Sequence, residues 1–263
     1  MTDQQSALEA TSSKGLVLGE LSWPEVDSAL SGVKVAVVPV GSCEQHGPNS
    51  SFTTDTEKAN EFCKLLARRV GGKILVFPPI GYGLSTHHMG FPGTVTLSVE
   101  TMISLLTDIA TAISKHGIRK ILFVNGHGGN RVALDASIIK LKYERGIDAY
   151  WTAMGTRLFL DTLSKEMTLP KVIGHACEVE TSQCLFLAPW VVMPVLQPGT
   201  THEESAYFRR VFRDGNAAWD WKRDASENGA LGNACRASRD IGERMTELAL
   251  TEVIGIIDEI IAR

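Results

Sequence analysis

Cysteine is scarce and unpatterned. The five in 263 residues, Cys43, Cys63, Cys177, Cys184 and Cys235, are odd in number and show no C-x-x-C spacing, which excludes a disulfide framework and a zinc–thiolate site. Positive charge is not in excess. A net charge of −4 offers no electrostatic footprint for nucleic acid or an anionic membrane. No apolar run approaches the roughly 18 residues of a membrane helix. The polar opening, Met1 to Lys14, lacks the apolar core of a signal peptide, so a reducing cytoplasm is the expected compartment. There is no G-x-S-x-G nucleophile elbow. What remains is ordinary globular composition, 44% hydrophobic and 21% charged, in a chain long enough for one large domain with a sizeable core. Residues 1–15 read as a disordered tail and 16–263 as a single domain.

Apolar runs alternate with helical periodicity. Val35-Ala36-Val37-Val38-Pro39-Val40, Lys73 to Phe77, Lys120 to Val124 and Asp148 to Ala153 read as strands. Helical spacing follows from Asp55 (Ala59, Phe62, Cys63, Leu66, Ala67), from Ser98 to His116, over about 130–145 and from near His175 to Leu187. Ser22 before Trp23-Pro24-Glu25 reads as an N-cap, and the last 27 residues form an amphipathic helix. Residues 81–97 read as a long functional loop and about 197–233 as irregular. The β-α order predicts α/β layers around a largely parallel sheet.

The chemistry concentrates where strands end. Glu44-Gln45-His46-Gly47-Pro48 follows the first strand, and Asp55 opens the next helix. His87 and His88 lie in the loop after the second strand, and Asn125-Gly126-His127-Gly128-Gly129-Asn130 follows the third. In a parallel sheet these ends lie along one edge, where ligands bind. Carboxylates and imidazoles gathered there suit Zn, Mn or Fe and water activation, with Asp55 placed to bridge two ions. The competing reading of Glu44 and His46 is a capped loop end with a solvated salt bridge. The glycines of 126–129 allow close backbone approach, and their amides can hold an anion. A phosphate loop competes there, without a Walker Lys-Ser/Thr or a full G-x-G-x-x-G. His175-Ala176-Cys177-Glu178-Val179-Glu180 reads as a helix opening, with Glu180 a ligand and His175 a proton shuttle. The plainer alternative is a first-turn acid on the helix dipole. Cys177 reads as a small buried hydrophobe rather than a nucleophile. His88, nearer the Phe91-Pro92-Gly93 turn, is preferred to His87 as a pocket residue. Trp190, Tyr207, Phe208, Trp219 and Trp221 read as interface or core aromatics.

Taken in order, Glu44-Gln45-His46-Gly47-Pro48 with Asp55, Gly90-Phe91-Pro92-Gly93-Thr94, Asn125 to Asn130, His175 with Glu180-Thr181-Ser182, and the C-terminal Gly229-Ala230-Leu231-Gly232 resemble the creatininase (creatinine amidohydrolase) family. The resemblance implies a three-layer α/β/α sandwich, commonly hexameric, with a di-metal hydrolase site. It assigns Glu44, Asp55 and His127 to one ion and His46 and Asp55 to the other; Glu180 is our choice to complete the second, since nothing else nearby supplies a carboxylate so well. His175 matches the catalytic histidine, and Trp151 a substrate-contacting aromatic. Gly128, Gly129 and His88 shape the substrate pocket. Creatininase proper carries Glu where this chain has Gly129, which places the chain in the broader family.

The expected activity is that of a metal-dependent amidohydrolase with two divalent ions per subunit (Zn, Mn or Fe). Hydroxide held between the ions attacks the carbonyl of a small, cyclic amide, and His175 protonates the leaving nitrogen. A formamide, a lactone or a cyclic ketone is the alternative substrate, and a non-catalytic phosphate- or nucleotide-binding protein the alternative of another class. The expected partners are a small molecule and further copies of the chain, with neither nucleic acid nor membrane.

Overall fold

Strand residues that are apolar at every position must be covered on both faces, and this one demand organises the molecule. A computed structural model describes residues 15–154, 169, 172, 174–202, 206 and 218–263. Residues 1–14 and the aromatic pair Tyr207 and Phe208 lie outside the described residues. The described strands are β1 (Leu16–Val17), β2 (Val35–Val40), β3 (Ile74–Val76), β4 (Lys120–Asn125) and β5 (Asp148–Ala153). They form one sheet in the order β1-β3-β2-β4-β5, with every pair parallel. β1 is too short, at two residues, to carry a periodic signal, and the sequence reading does not contain it.

Among the described residues the α-helices are α1 (Trp23–Leu30), α2 (Thr54–Val70), α3 (Val99–Ser114), α4 (Arg131–Arg145), α5 (Glu178–Leu187) and α6 (Arg239–Ala262). Side chains alternate across the sheet. Ala36, Val38, Val40, Ile121 and Phe123 face Met102, Leu106 and Ala110 of α3 and Leu134 and Leu141 of α4. Val35, Val37, Leu122 and Val124 face Phe62, Cys63 and Leu66 of α2 and Leu250, Val253 and Ile257 of α6. The result is a three-layer α/β/α sandwich with the central strands β2 and β4 buried on both faces. No described helix is long and apolar enough to cross a membrane.

Pro39 sits in the central strand without disrupting it. Val37 and Pro39 both offer their carbonyls on the β3 side, to Phe77 N–H (2.8 Å) and Ile80 N–H (2.9 Å). The last β2–β3 pair is Val37↔Val76, so the donor that proline lacks falls beyond the end of that ladder. Some boundaries differ from the sequence reading. Asp55 is not the cap of α2 but lies in its first turn, after Thr53. α5 begins at Glu178, so His175 precedes it, bridged instead to Leu231. The 81–97 segment is not structureless: it holds a 3-10 turn at Thr86–His88 and bridges Gly83↔Thr96 and Cys43↔Val95.

Candidate active site

β2 and β4 are adjacent, and both chains turn off the sheet at the same edge. Gly126 follows β4, and a Cβ there would stand 2.5 Å from the Asp55 carbonyl. Only glycine lets the first turn of α2 come this close, and the approach brings Asp55 between the two strand ends. Around it the structure gathers Glu44, His46, His88, His127, His175 and Glu180, all buried except the partly buried Glu180.

The imidazoles are oriented from behind. His127 Nε2 donates to the Leu84 carbonyl (3.0 Å), His175 Nε2 to the Gln45 carbonyl (2.6 Å) and His46 Nδ1 to the Glu44 carbonyl (3.2 Å). A carbonyl can only accept, so the rear nitrogen of each ring carries a proton, and the front nitrogen is the atom left to take a further proton or a metal ion. The front atoms converge on carboxylates. His127 Nδ1 is 3.1 Å from Glu44 Oε1 and 3.3 Å from Asp55 Oδ2. His46 Nε2 is 3.5 Å from Asp55 Oδ1 and 3.7 Å from Glu180 Oε2. His175 Nδ1 is 3.6 Å from Glu44 Oε1.

Lone pairs aimed at carboxylate oxygens leave both without a donor. Glu44 Oε1, Glu44 Oε2 and His46 Nε2 are indeed buried with no hydrogen-bond partner. Such orphaned atoms are costly in a dry interior. A proton or a cation relieves them, and the electrostatics point the same way. Burial opposes charge on His46, but Asp55 and Glu180 overcome it and raise the imidazole to about 10. His127 is likewise raised against its burial by Glu44 and Asp55. Asp55 is held well below the usual carboxylate range, its burial outweighed by His46 and Lys58. His175 goes the other way: burial, then the neighbouring His46, keep its imidazole below the ordinary value. Oxygen and imidazole donors at these spacings, orphaned and cation-seeking, fit a divalent metal of the Zn, Mn or Fe kind. Among the described residues three groupings are close enough to hold an ion: Glu44/His46/His175, Glu44/His87/His127 and His46/Asp55/Glu180.

The other sequence candidates fall out unequally. A Cβ on Gly129 would stand 2.3 Å from the Leu84 carbonyl oxygen and 2.4 Å from His127 Nε2. Gly129 thus makes room for the bond that orients His127, and this arrangement has no space for a side chain there. A Cβ on Gly128 meets nothing within 4 Å. Trp151 does not join the cluster. It lies on β5, its indole N–H donates to Asp135 Oδ1 (2.8 Å), and it packs on the α3/α4 core. His88 lies in the cluster, buried and 3.6 Å from Glu44 Oε1, and His87 stands beside it. His87 stacks on His127 with 5.7 Å between ring centroids and belongs to one of the three ion-holding groups.

Several participants were not anticipated. Gln45 accepts Gly47 N–H at its Oε1 (2.7 Å), which aims its amide nitrogen at His88 Nδ1 (2.8 Å). Ser42 Oγ donates to Asp55 Oδ2 (2.6 Å). Lys58 reaches Glu180 Oε1 at 2.5 Å and Asp55 Oδ1 at 3.5 Å. It is the one signal the sequence did carry, a lysine one turn after Asp55 among the apolar positions of α2. Trp221 lies over His88 (4.5 Å) and edge-on to His175 (4.8 Å), with Trp219 against His87 (5.0 Å). These two indoles wall the site.

A parallel α/β/α sandwich with carboxylates and imidazoles at the ends of its two central strands matches one family. The profile of the Creatininase family, described as creatinine amidohydrolase, spans residues 19–257, and the chain belongs to this family of hydrolases. The mycofactocin precursor peptide peptidase of Mycolicibacterium smegmatis is 36% identical over 220 residues, covering 82% of this chain and 81% of the relative. The creatinine amidohydrolase of Pseudomonas putida is 30% identical over 266 residues, covering 94% and 98%. Among solved structures, a creatininase described as its Mn form superposes with a TM-score of 0.75 at 28% identity, covering 94% of this chain and 98% of the other. A Zn–Zn creatininase variant gives 0.74 at 29%, with the same coverage.

Proposed function

We propose that this protein is a metal-dependent amidohydrolase that adds water across an amide C–N bond, with two divalent ions per subunit. The observation that carries the reading is the pair of inward nitrogens on His46 and His127, each ring pinned by a backbone carbonyl, converging on Glu44, Asp55 and Glu180, of which Glu44 is buried with neither oxygen hydrogen-bonded. In this reading Glu44, Asp55 and His127 hold one ion, and His46, Asp55 and Glu180 hold the other, with Asp55 common to both. Bound ions would supply Lewis acidity and a water of lowered pKa.

The chain's own groups do the remaining work. Asp55 offers Oδ1 to the His46 side and Oδ2 to the His127 side, so one carboxylate ties the two halves of the site. His175 carries its proton on Nε2, bound to the Gln45 carbonyl, and keeps Nδ1 free to take a proton and return it. Burial holds that imidazole neutral, as a base must be. Hydroxide goes to the carbonyl carbon and the proton to the leaving nitrogen. Trp221, stacked over His88 and against His175, keeps bulk water from that side.

A small, cyclic amide is the substrate we infer first, from likeness to a creatinine amidohydrolase along nearly the whole chain. A peptide amide is the second reading, favoured by the higher identity to a mycofactocin precursor peptide peptidase. Residues 16–263 are read as one metallohydrolase domain working in the cytoplasm, which suits cysteines free among the described residues. Exposed Val132, Ile139 and Tyr143, on one face of α4, support a homo-oligomer. The test is metal content per subunit on tag-free protein, beside Asp55→Ala, followed by a panel of cyclic amides, formamides, lactones and short peptides. About two ions in the wild type and fewer than one in the variant are expected. A metal-free wild type that stays so after incubation with Zn, Mn or Fe overturns the mechanism.

A further inference from the structure

We propose that Lys58 is a tethered counter-ion of the His46/Asp55/Glu180 group. It holds that group together when no metal is bound, and it makes this side the weaker of the two metal subsites. The inference rests on the metal-site reading above.

Among the described residues Lys58 is the one buried Lys or Arg side chain, 4% exposed. A lysine rarely enters an interior unless its charge is matched there. Its contacts are all on one side of the cluster. Glu180 gives Oε1 to Lys58 at 2.5 Å, while its Oε2 accepts the Ala176 N–H at 2.7 Å and faces His46. Asp55 is divided in the same way. Oδ2 takes Ser42 and faces His127, whereas Oδ1 lies 3.5 Å from both Lys58 and His46. Glu44, the carboxylate of the other subsite, faces imidazoles and, among the described residues, no ammonium, and neither of its oxygens is hydrogen-bonded.

Two consequences follow. Without a metal, Asp55 and Glu180 are neighbouring anions out of water, and Lys58 offsets their repulsion; removing one partner of such a buried set is strongly destabilising. With a metal, an ion arriving between His46, Asp55 and Glu180 meets a fixed positive charge and competes with it for Asp55 Oδ1. An ion at Glu44/Asp55/His127 meets neither. The subsites should therefore differ in affinity although each has two carboxylates and one imidazole. Ala176 N–H continues to hold Glu180 Oε2 toward His46 when Lys58 is absent, so the ligand is not lost with the lysine.

The experiment uses the full chain stripped with chelator, zinc titrated in buffered steps, and thermal unfolding with and without zinc. Wild type should bind zinc in two resolved steps, the weaker one abolished by His46→Ala. In Lys58→Met the weaker step should tighten by at least about tenfold, the scale of outer-shell effects on metal sites. Its metal-free Tm should fall by roughly 10 °C and recover when zinc is bound. Lys58→Arg, which keeps the charge, should keep two separated steps, and it carries the test if Lys58→Met does not fold. The proposal is overturned by a Lys58→Met protein with an unchanged weaker step, with an unchanged metal-free Tm, or with its second zinc lost. It is equally overturned by a Lys58→Arg protein whose two steps merge. A wild type that binds no zinc overturns the metal reading itself, a result distinct from all of these.

Discussion

Gly129→Ala adds a single methyl group and should damage a metal site to which residue 129 contributes no ligand. The added carbon would lie 2.3 Å from the Leu84 carbonyl oxygen and 2.4 Å from His127 Nε2. Those two atoms are the halves of one 3.0 Å hydrogen bond. Neither is the free end of a flexible chain. Leu84 is backbone, its own N–H bound to Asn130 Oδ1 at 2.9 Å, and His127 is hemmed in by Glu44, Asp55 and the stacked His87. The methyl must therefore push the imidazole away from the carbonyl. Forcing a methylene into a packed core costs about 1–3 kcal/mol, which corresponds to a Tm lower by roughly 3–10 °C in a chain of this size. Loss of the bond that orients a metal-ligating imidazole costs about 10–100-fold in metal affinity. Gly128→Ala is the internal control. It is the neighbouring residue, with nothing within 4 Å of its Cβ, and should leave both quantities within error. The assay is zinc affinity by competition with a chromophoric chelator, with Tm measured on the same samples. If Gly129→Ala binds zinc as the wild type does, or if Gly128→Ala is equally damaging, the packing argument for His127 is wrong.

Two further variants separate structure from chemistry. Ala176 adopts φ 50°, a left-handed conformation that costs a residue with a Cβ about 1–2 kcal/mol, and it does so between His175 and the N-cap of α5. Ala176→Gly should raise Tm by roughly 2–4 °C if the relief outweighs the added freedom of the unfolded chain, and a lower Tm would show that it does not. His175→Asn should lower kcat by about 10²–10⁴-fold while metal content per subunit is unchanged. A parallel loss of metal would make His175 a ligand, as its place in the Glu44/His46/His175 group allows.

Much of this was legible because it is local. A six-residue apolar run rich in valine and too short for a helix reads as a strand covered on both faces, and β2 is buried at every position. Placing Glu44, His46, Asp55 and His127 at strand ends needed only the boundaries of β2, α2 and β4 and the rule that parallel strands end together. Motif order along the chain supplied the family. The interior partnerships were not legible, because periodicity reports which face of an element is buried and not what lies against it. Lys58 and Glu180 are separated by 122 residues, and His175 and the Gln45 carbonyl by 130. His87, passed over in the sequence for its neighbour, sits against His127 as a possible ligand while His88 lies in the same cluster, both carried on one short 3-10 turn. Trp219 and Trp221, read as interface or core aromatics, became a wall of the site through a C-terminal segment folding back over the sheet edge.

The sequence alone determined the layer architecture, the edge of the sheet that carries the chemistry and the donor types gathered there, since each follows from residue type and short-range spacing. Tertiary structure alone decided which nitrogen of each imidazole faces inward, which carboxylates share a lysine and why residue 129 must be glycine. Those are matters of contact at a few ångströms between segments far apart in the chain, where one backbone carbonyl or one buried charge selects among arrangements that the residue types equally permit.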